Sequence, residues 1–218
     1  EIRLSLVGSE MCIRDRHQMW ATQYLELDSW HQLITSGGLG TMGFGFPAAI
    51  GAKIGNRDKE VVCFTGDGGF QMNIQEMQTI LQNRLPVKLF VINNQGYHSI
   101  RQTQQSYFKP PLVGVGEESG DLSFPNLSRI MPAYGFPYRA VHASEDLEAA
   151  ISEVLDAEGA FVCEVFVTKY QKTEPKTSAK KLPDGSMVSA PLEDMYPFLD
   201  REELESNMFI PLPEKMRQ

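Results

Sequence analysis

Residues 66–96 read GDGGFQMNIQEMQTILQNRLPVKLFVINNQG, and this stretch decides the fold. The apolar run Val61-Val62-Cys63-Phe64 leads into Gly66-Asp67-Gly68-Gly69, and Val87-Lys88-Leu89-Phe90-Val91-Ile92 leads into Asn93-Asn94. Short β-branched and aromatic runs bounded by turn residues predict buried strands over 61–65 and 87–92. Between them Ile74, Met77, Ile80 and Leu81 recur at helical spacing, which predicts a helix from about Gln71 to Asn83. Strand, glycine-rich turn, helix and strand make a βαβ crossover, so the two strands are expected as parallel neighbours.

Ligands of parallel sheets collect beyond the carboxyl ends of the strands, which puts Asp67 and Asn94 in one crevice. A carboxylate and an amide oxygen are hard donors, suited to magnesium completed by phosphate oxygens and water. Glycines 66, 68 and 69 let backbone amides approach a phosphate, and a helix that follows adds its own N–H groups. Asp-Gly and Asn-Gln-Gly are everyday turns when met singly. Joined by one helix, they form a far more specific signal.

Working outward, GFGFPAAIGAKIG (43–55) predicts a tightly packed helix after a glycine-rich turn. SEDLEAAISEVLDA (144–157) predicts a helix with acids in its first turn and Leu147, Ile151, Val154 and Leu155 on one face. Through Gly159 it leads to a strand over 161–167, while Pro132 argues against a long helix in NLSRIMPAYG. Alternating strands and helices predict an α/β fold: three layers, a mainly parallel sheet with helices on both faces. After Lys169 the composition turns to Lys, Thr, Ser, Pro and Asp, poor core material that reads as an extended tail with a turn at Pro183-Asp184-Gly185 and one short helix. Met187, Val188, Leu192, Met195, Tyr196 and Phe198 give that tail apolar anchors.

The 218 residues suffice for one domain with a full core plus additional segments. The chain opens on Glu1 rather than Met, which points to sequence upstream. A net charge of −8 with no Lys/Arg-rich stripe argues against nucleic acid as a partner. No apolar run approaches the roughly 20 residues of a membrane span, and no signal peptide is visible, so a cytoplasmic protein is expected. Cys12, Cys63 and Cys163 show no paired spacing, and the last two sit in apolar strands as buried thiols. The four histidines are scattered, without zinc-ligand spacing.

Asp67 and Asn94, with Gly66, Gly68 and Asn93 around them, resemble the diphosphate-binding motif of thiamine-diphosphate-dependent enzymes. HQMWATQYL (17–25), ITSGGLGTMGFGFPAAIGAKI (34–54) and LPVKLFVINNQGY (85–97) resemble the carboxyl-terminal domain of the acetolactate synthase large subunit. The resemblance covers residues 17–170, and it leaves 171–218 as a tail that resembles the family's carboxyl-terminal lid. SLVGSEMCIRDR, within residues 1–16, resembles a translated sequencing adaptor, so residues 1–16 are set aside from the fold as non-native.

The resemblance implies Asp67, the Asn94 side chain and the Gly96 carbonyl as magnesium ligands. It implies Gly66, Gly68 and Gly69 at the diphosphate, Gln18 reaching a phosphate, and Gly40 and Thr41 lining the aminopyrimidine pocket. Met42 takes the place of the apolar wedge that bends the cofactor and brings its 4′-imino group beside the thiazolium C2. The glutamate that activates the aminopyrimidine belongs to a domain outside this chain, as does any FAD site. The implied parent is a homo-oligomeric carboligase with its site between subunits, which decarboxylates a 2-oxo acid such as pyruvate and joins the product to a second carbonyl compound. A 2-oxo acid decarboxylase or aldehyde lyase of the same superfamily, and a non-catalytic cofactor-binding or structural module, remain the alternatives. The fragment by itself is expected to be inactive.

One departure concerns the acceptor. Acetolactate synthases carry a tryptophan between two glutamines after the paired asparagines, whereas here Thr103 stands between Gln102 and Gln104. Loss of a large aromatic enlarges or polarises the acceptor pocket.

Overall fold

The computed structural model describes residues 4–7, 21, 24–26, 31–108, 110–171, 174–177, 179–181 and 186–211. Two compact units divide the chain, Glu1–Lys169 and Tyr170–Gln218.

In the first unit a six-stranded sheet is built from β1 (Leu4–Val7), β2 (Gln32–Ile34), β3 (Glu60–Gly66), β4 (Val87–Asn93), β5 (Tyr138–Val141) and β6 (Phe161–Phe166). The spatial order is β2-β1-β3-β4-β6-β5, and every pairing is parallel. Among the described residues the helices with defined bounds are α1 (Gly45–Gly55), α2 (Asp67–Met72), α3 (Met77–Asn83), α4 (His98–Tyr107), α5 (Leu127–Tyr134) and α6 (Leu147–Asp156).

Strand alternation sorts the side chains into two cores. Val61 and Cys63 of β3 and Val87, Leu89 and Val91 of β4 pack with Phe46 of α1, Phe70 of α2, Met77 and Ile80 of α3 and Met131 of α5. The intervening Val62 and Phe90 pack on the other face with Ala150 and Val154 of α6 and with Phe161 and Cys163 of β6. Burial on both faces makes the central strands near-continuous apolar runs, so the predicted three-layer α/β sheet is the observed one. Truncating a fully buried aromatic such as Phe70 costs about 3–5 kcal/mol in cores of this kind.

The structure departs from the sequence pattern at three places. The helix predicted over 71–83 is broken: α2 begins at Asp67, and after Met72 a 3-10 turn (Ile74–Glu76) precedes α3. The break is at Asn73, with φ −131° and ψ 30°, because its side-chain Nδ2 donates to the Gly43 carbonyl at 2.6 Å. Secondly, Leu4–Val7, set aside from the fold, pairs with β3 from Leu4↔Glu60 to Val7↔Cys63 and with β2. A sheet edge is a row of unpaired backbone groups that templates any strand-capable segment, here Leu-Ser-Leu-Val. Thirdly, α4 and β5 arise where no periodicity announced them; of α4 only His98 and Arg101 are buried. Pro132 lies inside the two-turn α5, which stops at Gly135 with φ 82°.

In the second unit β7 (Ala179–Lys181) and β8 (Met187–Ser189) pair antiparallel, and Lys176 bridges Tyr196. The turn predicted at 183–185 lies outside the described residues. The short helix of the tail is α7 (Arg201–Asn207), capped by Asp200 Oδ1, which accepts from Glu202 N at 2.9 Å. Arg201 grips the buried Asp194 with two N–H groups, at 2.8 and 2.9 Å. Among the described residues no helix is long and apolar enough to cross a membrane.

Candidate functional site

Register carries both polar clusters to one end of the sheet. Gly66 of β3 stands opposite Ile92 of β4, so Asp67 follows one strand where Asn93 and Asn94 complete the next. Asp67 is 6% exposed and Asn94 2%, and Asn94 Oδ1 is buried. The clusters are joined directly: Asp67 Oδ2 accepts the Gly96 N–H at 3.0 Å, and Oδ1 accepts the Gly68 N–H at 2.8 Å. Charge-assisted bonds from backbone amides are short and strong, so the carboxylate has a set orientation.

Behind Asn94 the chain turns through two residues of positive φ. Gln95 has φ 59° and Gly96 φ 141°. A non-glycine residue in the left-handed region costs about 1 kcal/mol or more, and Asn93 offsets it with an Asx turn, its Oδ1 accepting the Gln95 N–H at 2.9 Å. At Gly96 a Cβ would lie 2.2 Å from the Val115 carbonyl oxygen. The next peptide is anchored too, since Tyr97 N–H donates to Val115 O at 2.7 Å, and this aims the Gly96 carbonyl. The Tyr97 ring covers Gly68, where a Cβ would sit 2.2 Å from a ring carbon.

A second set of polar groups supports that turn. Asn93 Nδ2 donates to Glu164 Oε1 at 2.7 Å, and the Tyr138 hydroxyl donates to Glu164 Oε2. Burial, then the Glu164 bond, pushes the Tyr138 hydroxyl far above its usual value, so it stays a donor. Arg101 of α4, 2% exposed, donates through Nη2 to Gln95 O at 3.2 Å and through Nε to Glu118. Burial alone would raise the Glu118 carboxyl, but the Lys169 bond at 2.7 Å and the Arg101 bond outweigh it and hold the group below the ordinary carboxylate range. Beside this support, at the carboxyl ends of β4, β6 and β5, lies a cavity of about 370 Å³ lined by Asn93, Gln95, Tyr138, His142, Glu164 and Phe166, among others. Asp67 and Asn94 do not line it.

Of the residues singled out in the sequence, Gly66, Asp67, Gly68, Gly69, Asn94 and Gly96 come together, all buried. Gly40 (φ 61°) is buried, Met42 half-buried and Thr41 exposed on the turn before α1. That turn is tied toward the site through Asn73 and Gly43, where a Cβ would meet Asn73 Nδ2 at 2.5 Å. Gln18 lies outside the described residues. Thr103 is exposed on α4, while Gln104 brackets the Val113 backbone with Nε2 and Oε1, at 2.6 and 2.9 Å. Sequence reasoning quoted Asn93 within the motif without giving it a role, and missed Arg101, Glu118, Tyr138 and Glu164. Only Glu164 left a signal, an acid inside the apolar strand FVCEVF.

The donor set suits a hard cation with a diphosphate. An ionised carboxylate offers about four acceptor sites, so the two backbone bonds at Asp67 and a metal are compatible on one group. The Gly68 N–H, in contrast, is engaged by Asp67, and a diphosphate contact there requires that bond to be exchanged.

Fold and site together define a cofactor-holding domain built on parallel strand ends. Residues 16–165 match the family described as thiamine pyrophosphate enzyme, C-terminal TPP binding domain, and the chain belongs to that family. Similar proteins include acetolactate synthase 2, chloroplastic, of Nicotiana tabacum, 41% identical over 163 residues, which are 73% of this chain and 24% of the relative. The acetolactate synthase isozyme 1 large subunit of Escherichia coli K12 is 39% identical over 160 residues, 73% of this chain and 28% of that protein. Isozyme 2 of the same organism is 33% identical over 180 residues, 83% of this chain and 31% of that protein. The chain therefore spans 24–31% of the length of these curated relatives.

Proposed function

We propose that this chain holds the diphosphate end of thiamine diphosphate, together with Mg2+, in a carboligase of the acetolactate-synthase type. The observation that carries the proposal is the Asp67 Oδ2 to Gly96 N–H bond at 3.0 Å, which makes one site of two strand ends. Asp67, Asn94 Oδ1 and the Gly96 carbonyl hold the metal; Gly66, Gly68 and Gly69 present backbone to the diphosphate. Met42, with Gly40 and Thr41, supports the bent cofactor, and Gln18 reaches a phosphate. When bound, thiamine diphosphate supplies the electron sink for decarboxylating a 2-oxo acid and for joining the remaining fragment to a second carbonyl compound. The task of this chain is to neutralise the diphosphate, fix its orientation and keep the site dry.

The rest of the activity belongs to sequence beyond this domain. The activating glutamate comes from another domain of a partner subunit, which makes the working form a homo-oligomer, and FAD, where used, sits in a further domain. Location follows the parent: cytoplasmic in our reading of the sequence, against relatives that include proteins named chloroplastic. Thr103, in the place of the tryptophan that the resemblance implies, supports a larger or more polar acceptor pocket.

The test is product analysis on the parent polypeptide. Pyruvate alone, and pyruvate with a second 2-oxo acid or aldehyde, are supplied with thiamine diphosphate and Mg2+. A carbon–carbon coupled product supports the carboligase. Aldehyde with no coupled product assigns a decarboxylase on the same cofactor site, and no turnover with no cofactor binding returns the chain to a structural module.

A further inference from the structure

We infer that Arg101 is a positioning residue for the Asp67 carboxylate, acting through the single peptide group between Gln95 and Gly96. The inference deepens the magnesium-diphosphate reading and rests on it for its functional consequence. The Gln95 carbonyl and the Gly96 N–H belong to one planar unit, and in a trans peptide they point in opposite directions. Arg101 Nη2 donates to that carbonyl at 3.2 Å, and that N–H donates to Asp67 Oδ2 at 3.0 Å. A guanidinium at one end and a carboxylate at the other thus share a peptide as their link. Each polarises it in the sense that strengthens the other bond, and low local dielectric amplifies the effect.

The packing leaves this peptide little alternative while Arg101 is present. A Cβ at Gly116 would lie 2.4 Å from Gln95 O, so that carbonyl is pressed against backbone. A Cβ at Gly96 would lie 2.9 Å from Arg101 Nη2, so the guanidinium is pressed against the turn itself. Asn93 holds the preceding N–H and Val115 the following one, which leaves the Gln95–Gly96 unit as the element whose orientation Arg101 decides. Removing the cation leaves Gln95 O without this donor, and the peptide is then free to rotate and turn the Gly96 N–H away from Asp67. The fork geometry matters as well as the charge, because Nε is committed to Glu118 while Nη2 reaches Gln95.

The test uses the whole chain, isotopically labelled, with Arg101→Met and Arg101→Lys. The first readout is the Gly96 amide proton shift without any ligand; the second is the Mg2+ concentration that half-saturates binding of thiamine diphosphate. In Arg101→Met the Gly96 amide moves upfield toward the position of a water-exposed glycine, and the half-saturating Mg2+ rises about tenfold, in line with loss of one charge-assisted bond. Arg101→Lys, which keeps the cation and loses the fork, gives an upfield shift and an Mg2+ rise of about threefold. In whichever variant keeps a dispersed spectrum, an unmoved Gly96 amide overturns the inference. A moved amide with unchanged Mg2+ dependence overturns its functional half. Failure of the unsubstituted chain to bind thiamine diphosphate with Mg2+ counts against the proposed function instead, and the Gly96 shift still decides the role of Arg101.

Discussion

The two ends of the sheet bury charge in opposite ways. At the amino end, Lys88 of β4 donates to the carbonyls of Ala157 and Gly159, and Lys53 of α1 donates to those of Arg57 and Lys59, at 2.8 and 2.6 Å. At the carboxyl end, Asp67 accepts two backbone N–H groups and Glu164 accepts from Asn93 and Tyr138. An ammonium is a donor only, and carbonyls that close a helix end or loop have no further use for a cation. A carboxylate set by N–H donors can take a metal in addition. The contrast separates the two ends: the amino-end ammoniums are committed to backbone carbonyls, and the carboxyl-end carboxylates are oriented by their donors.

The contrast breaks if lesions at the two ends have the same signature. Gly68→Ala carries the largest expected effect, since its Cβ overlaps the Tyr97 ring at 2.2 Å. It should abolish Mg2+-dependent cofactor binding and cost about 1–3 kcal/mol in denaturant unfolding. Next, Lys88→Ala removes the ammonium bonded to the Ala157 and Gly159 carbonyls and should cost about 1–3 kcal/mol, while the surviving folded protein binds cofactor with unchanged affinity. Burial lowers the Lys88 pKa in the folded state, so it disfavours the proton there; its charge burden eases and stability rises as pH climbs from the folded value toward the unfolded one. That rise should vanish in Lys88→Met.

A smaller effect is expected at Glu118. Its folded carboxyl is depressed, so its stabilisation is present above the unfolded pKa and lost as pH falls through the folded one. Acid unfolding curves should therefore be flatter for Glu118→Gln. Smallest is the chemistry of the thiols. Burial pushes Cys163 up to about 11, and Cys63 is fully buried, so neither should react with a disulfide reagent at pH 8 until the chain unfolds.

What the sequence discloses divides along the same line. The βαβ unit was legible because its signals are local: apolar runs, a glycine turn, helical spacing. The helix break was not, since Asn73 leaves the helix for a carbonyl 30 residues away. The resemblance singles out Asn94 of the two adjacent asparagines, and only strand geometry gives Asn93 its partner, Glu164, 71 residues on. Arg101 and Glu118 lie in a polar helix and a loop where charge is commonplace, so nothing marked them out. Leu4–Val7 shows the converse, a segment excluded by its resemblance and paired by an open strand edge.

The central claim is that two strand ends form one magnesium-diphosphate site. Its most direct test is calorimetric titration of the folded chain with thiamine diphosphate, with and without Mg2+, beside Asp67→Ala and Lys88→Met. The account predicts Mg2+-dependent heat that Asp67→Ala abolishes and Lys88→Met retains. Heat that ignores Mg2+, or that survives in Asp67→Ala, would contradict it.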